Sequence, residues 1–376
     1  MISIDTERAA RIVWSSVLEP VARDDPREQR GERAVLAHIA TVGHLRALRD
    51  LQRGALATAT PAHAARAAEI DPGRQEEIAV RLGARILTPE DEEWPTRLDE
   101  LEHPPHCLWV RGQAHVASSL ERSVSIVGAR AASPYGVDQG RSLAFGLAER
   151  GFAIVSGGAF GIDRAAHDGT LAAGGTTMAL LACGIDRAYP ASHASLFDQI
   201  AEDGAVITEL PPGAAPLRQR FLARNRMIAA ATRGTLVVQA GLRSGSLNTA
   251  RWARDLNRVI AAVPGPVTLP LSAGCHGIIR DAGAILVGTV DEAADAFGDF
   301  GTDAAAGAHI RQVDEDWNEA ERLVYAHVPV RRPEPVDGLV AVTGLPATSV
   351  LAALARLHGD GVVVRHDSGW RKTPTR

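Results

Sequence analysis

The stretch Ser123–Gly161 reads SVSIVGARAASPYGVDQGRSLAFGLAERGFAIVSGGAFG, and its order of elements decides the fold. Two short apolar runs, which start near Val124 and Ala153, are separated by a helix-like segment. Further apolar runs begin near Thr176, Ala205, Thr235, Arg258 and Ala284. All these starts lie 23 to 30 residues apart. Strand–helix alternation at this interval predicts an α/β fold with a parallel sheet covered by helices on both faces.

The ends of the first two predicted strands carry glycines and one arginine. The first strand runs into Gly128 and Arg130, and the second runs into Ser156, Gly157 and Gly158, with Gly161 just before the next helix. Parallel sheets bind ligands outside the carboxyl ends of their strands. Glycines allow a ligand close to the backbone, where several N–H groups can converge on a phosphate. The alternative is a set of ordinary tight turns.

The charge of the chain is unevenly distributed. The net charge of −5 alone argues against a nucleic-acid partner. Between Ala214 and Arg258, however, nine arginines face a single acid, Asp255, so this segment carries +8 and the rest of the chain −13. A basic segment on an acidic protein is typical of a polyanion site. A solvated helix face is the alternative.

Several nucleotide and metal functions are disfavoured. The apolar run Thr176–Leu181 leads into Ala-Cys-Gly, without the acid that follows this strand in dinucleotide-binding proteins. The phosphate-binding pattern GxxxxGK[ST] is absent. Cys107, Cys183 and Cys275 are far apart and form no CxxC pair, so we expect small buried residues and no structural metal or disulfide.

The sequence also gives little support for a set of catalytic residues. Asp163 and His167 are four residues apart on one predicted helix, and Ser156 lies upstream. No nucleophile elbow or metal-ligand set accompanies them. We interpret Asp163 as an acid that is favourable in the first turn of a helix or fixes the loop, and His167 as a phosphate contact or a packed imidazole.

Composition shifts divide the chain into four parts. Residues 1–85 are predicted to be helical, and 86–299 form the core, whose first part, 86–112, is an extended strap rich in prolines. Residues 300–312 read as a linker. Residues 313–376 suggest helices and a two-stranded wing, which together indicate a winged-helix module. The N-terminus lacks a signal peptide's features and no run suits a membrane span, which favours a cytoplasmic protein.

Six motifs carry a family resemblance. They are SGGAFGIDRAAH (156–167), GIDRAYP (184–190), ITELPPG (207–213), FLARNRMIA (221–229), RSGSLNTA (243–250) and VPG (263–265). In this order, over about residues 124–287, they resemble the DNA-processing protein A (DprA/Smf) family. Two positions depart from its pattern: Gln239 stands where the family commonly has an acid, and His276 where many relatives have an asparagine.

The resemblance implies a Rossmann-like core that binds single-stranded DNA in a positively charged pocket, without catalysis or cofactor. It also implies homodimers and the loading of a RecA-type recombinase onto incoming strands during natural transformation. The residues assigned to DNA binding are Arg130, Ser156, Gly157, Gly158, Gly161, His167, Arg224, Asn225, Arg226, Arg243 and Ser244.

Further expectations concern how the site works. Arg224 and Arg226 suit a phosphate backbone, and the alternative is a structural role with their charged heads paired to Asp or Glu. Phe160 and Phe221 are the nearest aromatics, and a core role is favoured for each. We expect a preference for single strands, a dimer interface within about 230–290, and little loss of affinity when 309–376 are deleted.

Overall fold

A computed structural model describes residues 4–21, 32–299, 303, 317–329, 333–366 and 368–373. The chain divides into two compact units, Met1–Ala305 and Ala306–Arg376. The predicted linker, 300–312, lies outside the described residues except for Asp303.

The first unit begins with five helices. They are α1 (Glu7–Val17), α2 (Glu32–Val42), α3 (His44–Gln52), α4 (Pro61–Glu69) and α5 (Pro72–Arg81). Thr6 caps α1 by accepting a hydrogen bond from the backbone N–H of Ala9, which satisfies one of the free amides of the first turn. Trp14, fully buried, anchors the core of this region and donates its indole N–H to the carbonyl of His44 at 3.0 Å.

A nine-stranded sheet follows. Its strands are β1 (Ala84–Leu87), β2 (Leu108–Arg111), β3 (Ser123–Gly128), β4 (Ala153–Ser156), β5 (Thr177–Leu180), β6 (Ala205–Thr208), β7 (Gly234–Gln239), β8 (Val259–Ala262) and β9 (Ile285–Leu286). The spatial order is β1-β2-β6-β5-β4-β3-β7-β8-β9, and the neighbours from β6 to β9 pair in parallel. The predicted parallel sheet is confirmed, and each predicted apolar run begins within one residue of its strand.

Helices cover both faces of this sheet. They are α6 (Val116–Glu121), α7 (Pro134–Glu149), α8 (Ile162–Ala172), α9 (Ala194–Asp203), α10 (Arg218–Ala231), α11 (Ser246–Asp255), α12 (Ala273–Ala282) and α13 (Val290–Phe297). Alternate residues of one strand face opposite sides, so Val127 packs into one hydrophobic cluster and Ile126 into another. Burial on both faces explains why the strands read as continuous apolar runs.

The predicted strap is more structured than expected. Its two ends are β1 and β2, which pair with each other antiparallel, and β2 also pairs antiparallel with β6. A short 3-10 helix, Thr96–Glu100, lies between them. The expectation that 1–85 contains no strand is therefore wrong at its last two residues, because β1 crosses the expected boundary. Four residues were too few for a strand signal in a helical region.

Strand order places a switch point beside β3. From β3 the chain first adds β4, β5 and β6 on one side, and then returns to add β7 and β8 on the other. The loops that leave β3 and β7 consequently diverge at the carboxyl edge of the sheet, which opens a crevice there.

In the second unit, the described residues form three helices and a two-stranded antiparallel ribbon. These elements are α14 (Glu319–His327), α15 (Val336–Thr343), α16 (Ala347–Gly359), β10 (Val363–His366) and β11 (Gly369–Lys372). Leu339, Val350 and Leu354 are fully buried in its small core. The expected helices and ribbon are present, while Asp367 in the predicted turn lies outside the described residues.

Within the described parts of the chain, no single helix is long and apolar enough to cross a membrane. Taken together, α15 and α16 have the length and apolar composition of a membrane span, but a bend of 112° separates them.

Candidate functional site

A crevice of about 550 Å³ opens at the carboxyl ends of β3 and β7, against the exposed start of α10. Its lining includes Gly128, Arg130, Asp163, Arg218, Phe221, Arg224, Asn225, Arg243, Ser244, Gly245 and Ser246. This volume lies in the range of ordinary small-ligand pockets. Four of these side chains are arginines and one is an acid, so the crevice is electropositive.

Two glycines allow the loops around the crevice to pack closely. A Cβ atom on Gly128 would lie 2.4 Å from Cγ1 of Ile162, the first residue of α8. Gly161 has φ of +78°, and a Cβ there would lie 2.2 Å from the carbonyl oxygen of Ala129. Both positions therefore need glycine, one for close approach and the other also for its left-handed backbone. This close packing holds the loop after β3 against the start of α8.

Arg130 leaves the end of β3 as an exposed side chain on the wall of the crevice. Its guanidinium carbon lies 4.8 Å from the centre of the Phe221 ring, a distance that suits a cation–π contact. Tyr189, 44% exposed, packs against the same ring with centroids 5.6 Å apart. Phe221 thus lies in the crevice wall and not in the core, contrary to the expectation from sequence.

Phe160, also assigned to the core from sequence, is 51% exposed. It contacts His193 edge to face at a centroid distance of 4.7 Å. Exposure of so large a ring is a departure from the expected core role.

Arg224 is the most unusual residue of the crevice. It is 5% exposed, and its Nη1 donates to the carbonyl oxygen of Leu180, while its Nε has no hydrogen-bond partner among the described residues. Asp163 and Arg224 both reach over Gly157, where a Cβ would lie within 2.5 Å of each, yet they form no ion pair. Burial lowers the pKa of Arg224 to about 10, partly offset by the Asp163 charge, so the guanidinium stays charged at neutral pH.

Asn225 joins α10 to the start of α11. Its Nδ2 donates to the carbonyl oxygen of Gly245 at 3.3 Å and lies 3.5 Å from Oδ1 of Asn248. Ser244 and Gly245 line the crevice just before α11 and bond its first amides. The N–H groups of Ser246, Leu247 and Asn248 donate to Ser244 Oγ, the carbonyl oxygen of Ser244 and the carbonyl oxygen of Gly245. This wall therefore contributes the positive end of the helix dipole rather than free donors.

Of the eleven residues assigned from sequence, five line the crevice: Arg130, Arg224, Asn225, Arg243 and Ser244. The glycines 157, 158 and 161 lie behind it, where they allow close packing. A Cβ on Gly158, for example, would lie 2.7 Å from Cζ of Phe197.

Ser156, His167 and Arg226 are buried and bonded to protein groups. Ser156 Oγ donates to the carbonyl oxygen of Ile126 at 2.6 Å. His167 contacts Thr177 Oγ1 at 2.7 Å through Nδ1 and the carbonyl oxygen of Gly157 at 2.8 Å through Nε2, and burial lowers its pKa. The packed imidazole, one of the two interpretations of His167, is therefore its role in the structure.

Arg226 takes the structural role left open by its sequence. Its Nη1 and Nη2 each donate to a carboxylate oxygen of Glu209 at 2.6 Å, and both side chains are more than nine-tenths buried. Its Nε donates to the carbonyl oxygen of His103 at 3.3 Å. This ion pair joins α10 to the end of β6 and places no charge in the crevice.

Sequence reasoning gave no individual role to Arg218, although it was one of the nine arginines of the basic segment. Four others of that segment pair with acids distant in sequence: Arg220 with Glu19, Arg226 with Glu209, Arg233 with Asp299 and Arg258 with Glu100. Acids outside the segment therefore compensate about half of its +8 charge, away from the crevice.

The cysteines match their expected role. Cys107, Cys183 and Cys275 are buried and unpaired, and burial raises their thiol pKa values to about 12, 11 and 11. Among the described residues, no group of three or more His, Cys, Asp or Glu side chains could hold a metal ion.

Fold and site together define a class: a parallel α/β protein with an arginine-lined crevice at the switch point of its sheet. The sequence profile described as DNA recombination-mediator protein A matches residues 85–298. The chain belongs to this family of DNA-processing recombination mediators, which confirms the resemblance found in its motifs.

Individual relatives agree with this assignment. The putative DNA processing protein DprA of Mycobacterium tuberculosis is 42% identical over 347 residues, or 89% of each chain. The X-ray structure of DNA processing protein A from Streptococcus pneumoniae superposes with a TM-score of 0.64 at 30% identity, covering 79% of this chain and all of the other. The structure of DNA processing protein A from Helicobacter pylori concerns its single-stranded DNA binding mode. It superposes with a TM-score of 0.50 at 29% identity, covering 56% of this chain and 94% of the other.

Proposed function

We propose that the crevice binds single-stranded DNA through its phosphates, and that the chain acts as a recombination mediator. The observation that carries this proposal is Arg224, a guanidinium that is 5% exposed, is charged at neutral pH and forms no ion pair within the described residues. A buried charge that no ion pair neutralises is costly, and the nearby charge of Asp163 offsets this cost only in part, so the side chain supports a bound anion during function.

The other arginines of the crevice extend this anion site into a path. Arg130, Arg218 and Arg243 are exposed on its walls, and the polar segment Ser244–Ser246 lines one side. Several positive groups around one crevice suit a chain of phosphates better than a single small anion. Phosphate contacts of this kind carry no base identity, so we expect binding that tolerates any sequence and weakens with salt.

The shape of the site favours a single strand over a duplex. Arg224 lies deep in a crevice, which a flexible single strand can enter more easily than a rigid double helix. Tyr189, 44% exposed beside Phe221, offers a ring at its wall, and stacking on an aromatic ring contributes about 1–3 kcal/mol per base. The relative from Helicobacter pylori supports this choice, since its structure concerns single-stranded DNA binding.

Finer parts of the proposal rest on the family. We propose a cytoplasmic protein that protects incoming strands, loads a RecA-type recombinase during natural transformation or related DNA processing, and needs no cofactor. We also propose a homodimer through the late part of the sheet, where Ile285 and Leu286 of β9 are 45% and 51% exposed. The second unit is proposed to be a winged-helix module with a minor part in single-strand binding.

Catalysis is not part of the proposal. Asp163 and His167 share one helix face, but both ring nitrogens of His167 are engaged with protein groups and its side chain is fully buried. It therefore has no free nitrogen with which to activate a ligand in the crevice.

The test is a gel-shift competition with a labelled single strand, challenged separately by unlabelled single strand, duplex and free nucleotides. We expect the single strand to compete best. Displacement by duplex at equal concentration would contradict the single-strand preference, and displacement by free nucleotides with their hydrolysis would favour a nucleotide hydrolase. Sedimentation that shows only a 39.7 kDa species at micromolar concentration would contradict the dimer.

A further inference from the structure

Gln239 makes contacts that its position in the sequence did not suggest. It is the last residue of β7 and is 1% exposed. Its Oε1 accepts a hydrogen bond from the backbone N–H of Ser133 at 2.8 Å. Its Nε2 donates to Oγ of the same serine at 2.9 Å. One amide therefore satisfies both the backbone and the side chain of Ser133, at the start of α7.

The backbone of Gln239 holds the other end of the same loop. Its carbonyl oxygen accepts from the N–H of Ala129 at 2.7 Å, where the pairing of β3 with β7 shifts register. The loop 129–133, which contains Arg130, is thus tied to one residue at both ends. Gly136 makes room for this arrangement, because a Cβ there would lie 2.6 Å from Oε1 of Gln239.

We propose that Gln239 is the positioning residue of the crevice: it holds the loop 129–133 so that Arg130 faces the bound strand. The inference rests on the proposed function. Arg130 forms no ion pair with a described acid, and its side chain contacts the Phe221 ring. The direction of its guanidinium therefore depends on the backbone of the loop, which Gln239 fixes.

An amide is well suited to this task because it offers one acceptor and one donor side by side. Leucine has a similar size but would leave the N–H of Ser133 without its partner. The loop would then shift towards water, since a half-buried N–H that loses its acceptor is unfavourable. Arg130 would leave its place with the loop, although its charge would remain.

The experiment compares Gln239→Leu with Ser125→Ala in the full chain. Ser125 is a matched control because it is fully buried and also links β3 to β7, through a 3.0 Å contact with Thr235 Oγ1, but it lies before the carboxyl edge. Three quantities are measured: melting temperature, amide hydrogen exchange in 129–136, and the slope of log K against log salt for a single strand.

We expect both variants to melt at lower temperature. Only Gln239→Leu should exchange the amides of 129–136 at least tenfold faster and lose about 0.7 from the slope, the value for one phosphate contact on a single strand. The double variant Gln239→Leu with Arg130→Ala should show the slope of Arg130→Ala alone. Wild-type slope in Gln239→Leu, or an equal fall in Ser125→Ala, would overturn the inference.

A second variant, Gly136→Ala, tests the inference independently in case Gln239→Leu does not fold. Gly136→Ala leaves Gln239 in place but pushes its amide away from Ser133, so it should reproduce the faster exchange and the lower slope. A chain that folds but binds no single strand would contradict the proposed function itself. The exchange data would then still decide the role of Gln239, because wild-type protection of 129–136 in both variants would show that Gln239 does not hold the loop.

Discussion

The two edges of the parallel sheet use arginine in opposite ways. At the carboxyl edge, four arginines lie on the crevice and form no ion pair with an acid in the described parts of the chain: Arg130, Arg218, Arg224 and Arg243. At the amino edge, three arginines sit just before the strands β3, β4 and β7: Arg122, Arg150 and Arg233.

Each arginine of the amino edge is paired. Arg122 binds Asp303 at 2.6 Å, Arg233 binds Asp299 at 2.7 Å, and Arg150 binds Asp291. The two sets belong to the same sheet and contain the same residue type. What distinguishes them is compensation by nearby acids, which leaves one edge neutral and the other free to bind an anion. A site is therefore found by asking which charges lack partners, and net charge alone does not reveal it.

The largest expected effect comes from α10, which contains an arginine of each kind: Arg224 on the crevice and Arg226 paired with Glu209. Arg226→Ala should destabilise the fold by about 3–5 kcal/mol, because it leaves Glu209 buried without its partner. The slope of log K against log salt should stay at its wild-type value. Thermal unfolding and salt titration on the same protein measure both quantities.

A control follows from the same pair. Replacing Arg226 and Glu209 together by Met and Leu should recover much of the lost stability, because no unpaired charge remains. A reduced salt slope in Arg226→Ala would instead place this arginine among the phosphate contacts.

Arg224→Ala should show the reverse pattern. The loss of one charge-assisted contact, about 1.5–3 kcal/mol, should weaken single-strand binding roughly tenfold to a hundredfold. The melting temperature should change little, since the cost of burying the guanidinium disappears together with its bond to Leu180 and its attraction to Asp163. A lower melting temperature with unchanged affinity would show that Arg224 is structural.

A smaller effect concerns pH at the amino edge. The Arg122 guanidinium holds the pKa of Asp303 at about 2, below the value near 3.9 of an unfolded aspartate. This pair therefore stabilises the fold above about pH 4, and its contribution fades as pH falls from 4 towards 2. The difference in melting temperature between wild type and Asp303→Asn should shrink over that range, with DNA affinity at neutral pH unchanged. A difference that grows on acidification would contradict the assignment.

The smallest effect is expected from the second unit. All the lining residues of the crevice belong to the first unit. Deleting 309–376 should therefore change single-strand affinity by less than tenfold. A greater loss would mean that the second unit contributes contacts of its own.

The sequence predicted the strands well because burial on both faces makes each one a short apolar run. It also selected Arg130, Arg224 and Arg243, which all line the crevice: Arg130 and Arg243 follow strand ends, and Arg224 belongs to the basic motif of the family resemblance. It could not separate Arg224 from Arg226. The acid that neutralises Arg226 is Glu209, 17 residues earlier, and only the folded chain brings the two together.

Aromatic residues were harder to assign. Phe221 and Phe160 were expected in the core because large rings usually are, and single rings carry no periodic signal of exposure. Gln239 was noticed only as a departure from a family pattern. Its bonds to Ser133 span 106 residues, a distance over which no local pattern in the sequence gives information.

The central claim is that unpaired arginines at the carboxyl edge, and not the total charge, bind the strand. Two triple variants test it directly: Arg130, Arg224 and Arg243 to Ala, and Arg122, Arg150 and Arg233 to Ala. Each removes three positive charges. The slope of log K against log salt should fall by about 2 in the first, at about 0.7 per phosphate, and stay near wild type in the second. Equal falls in both variants would contradict the claim.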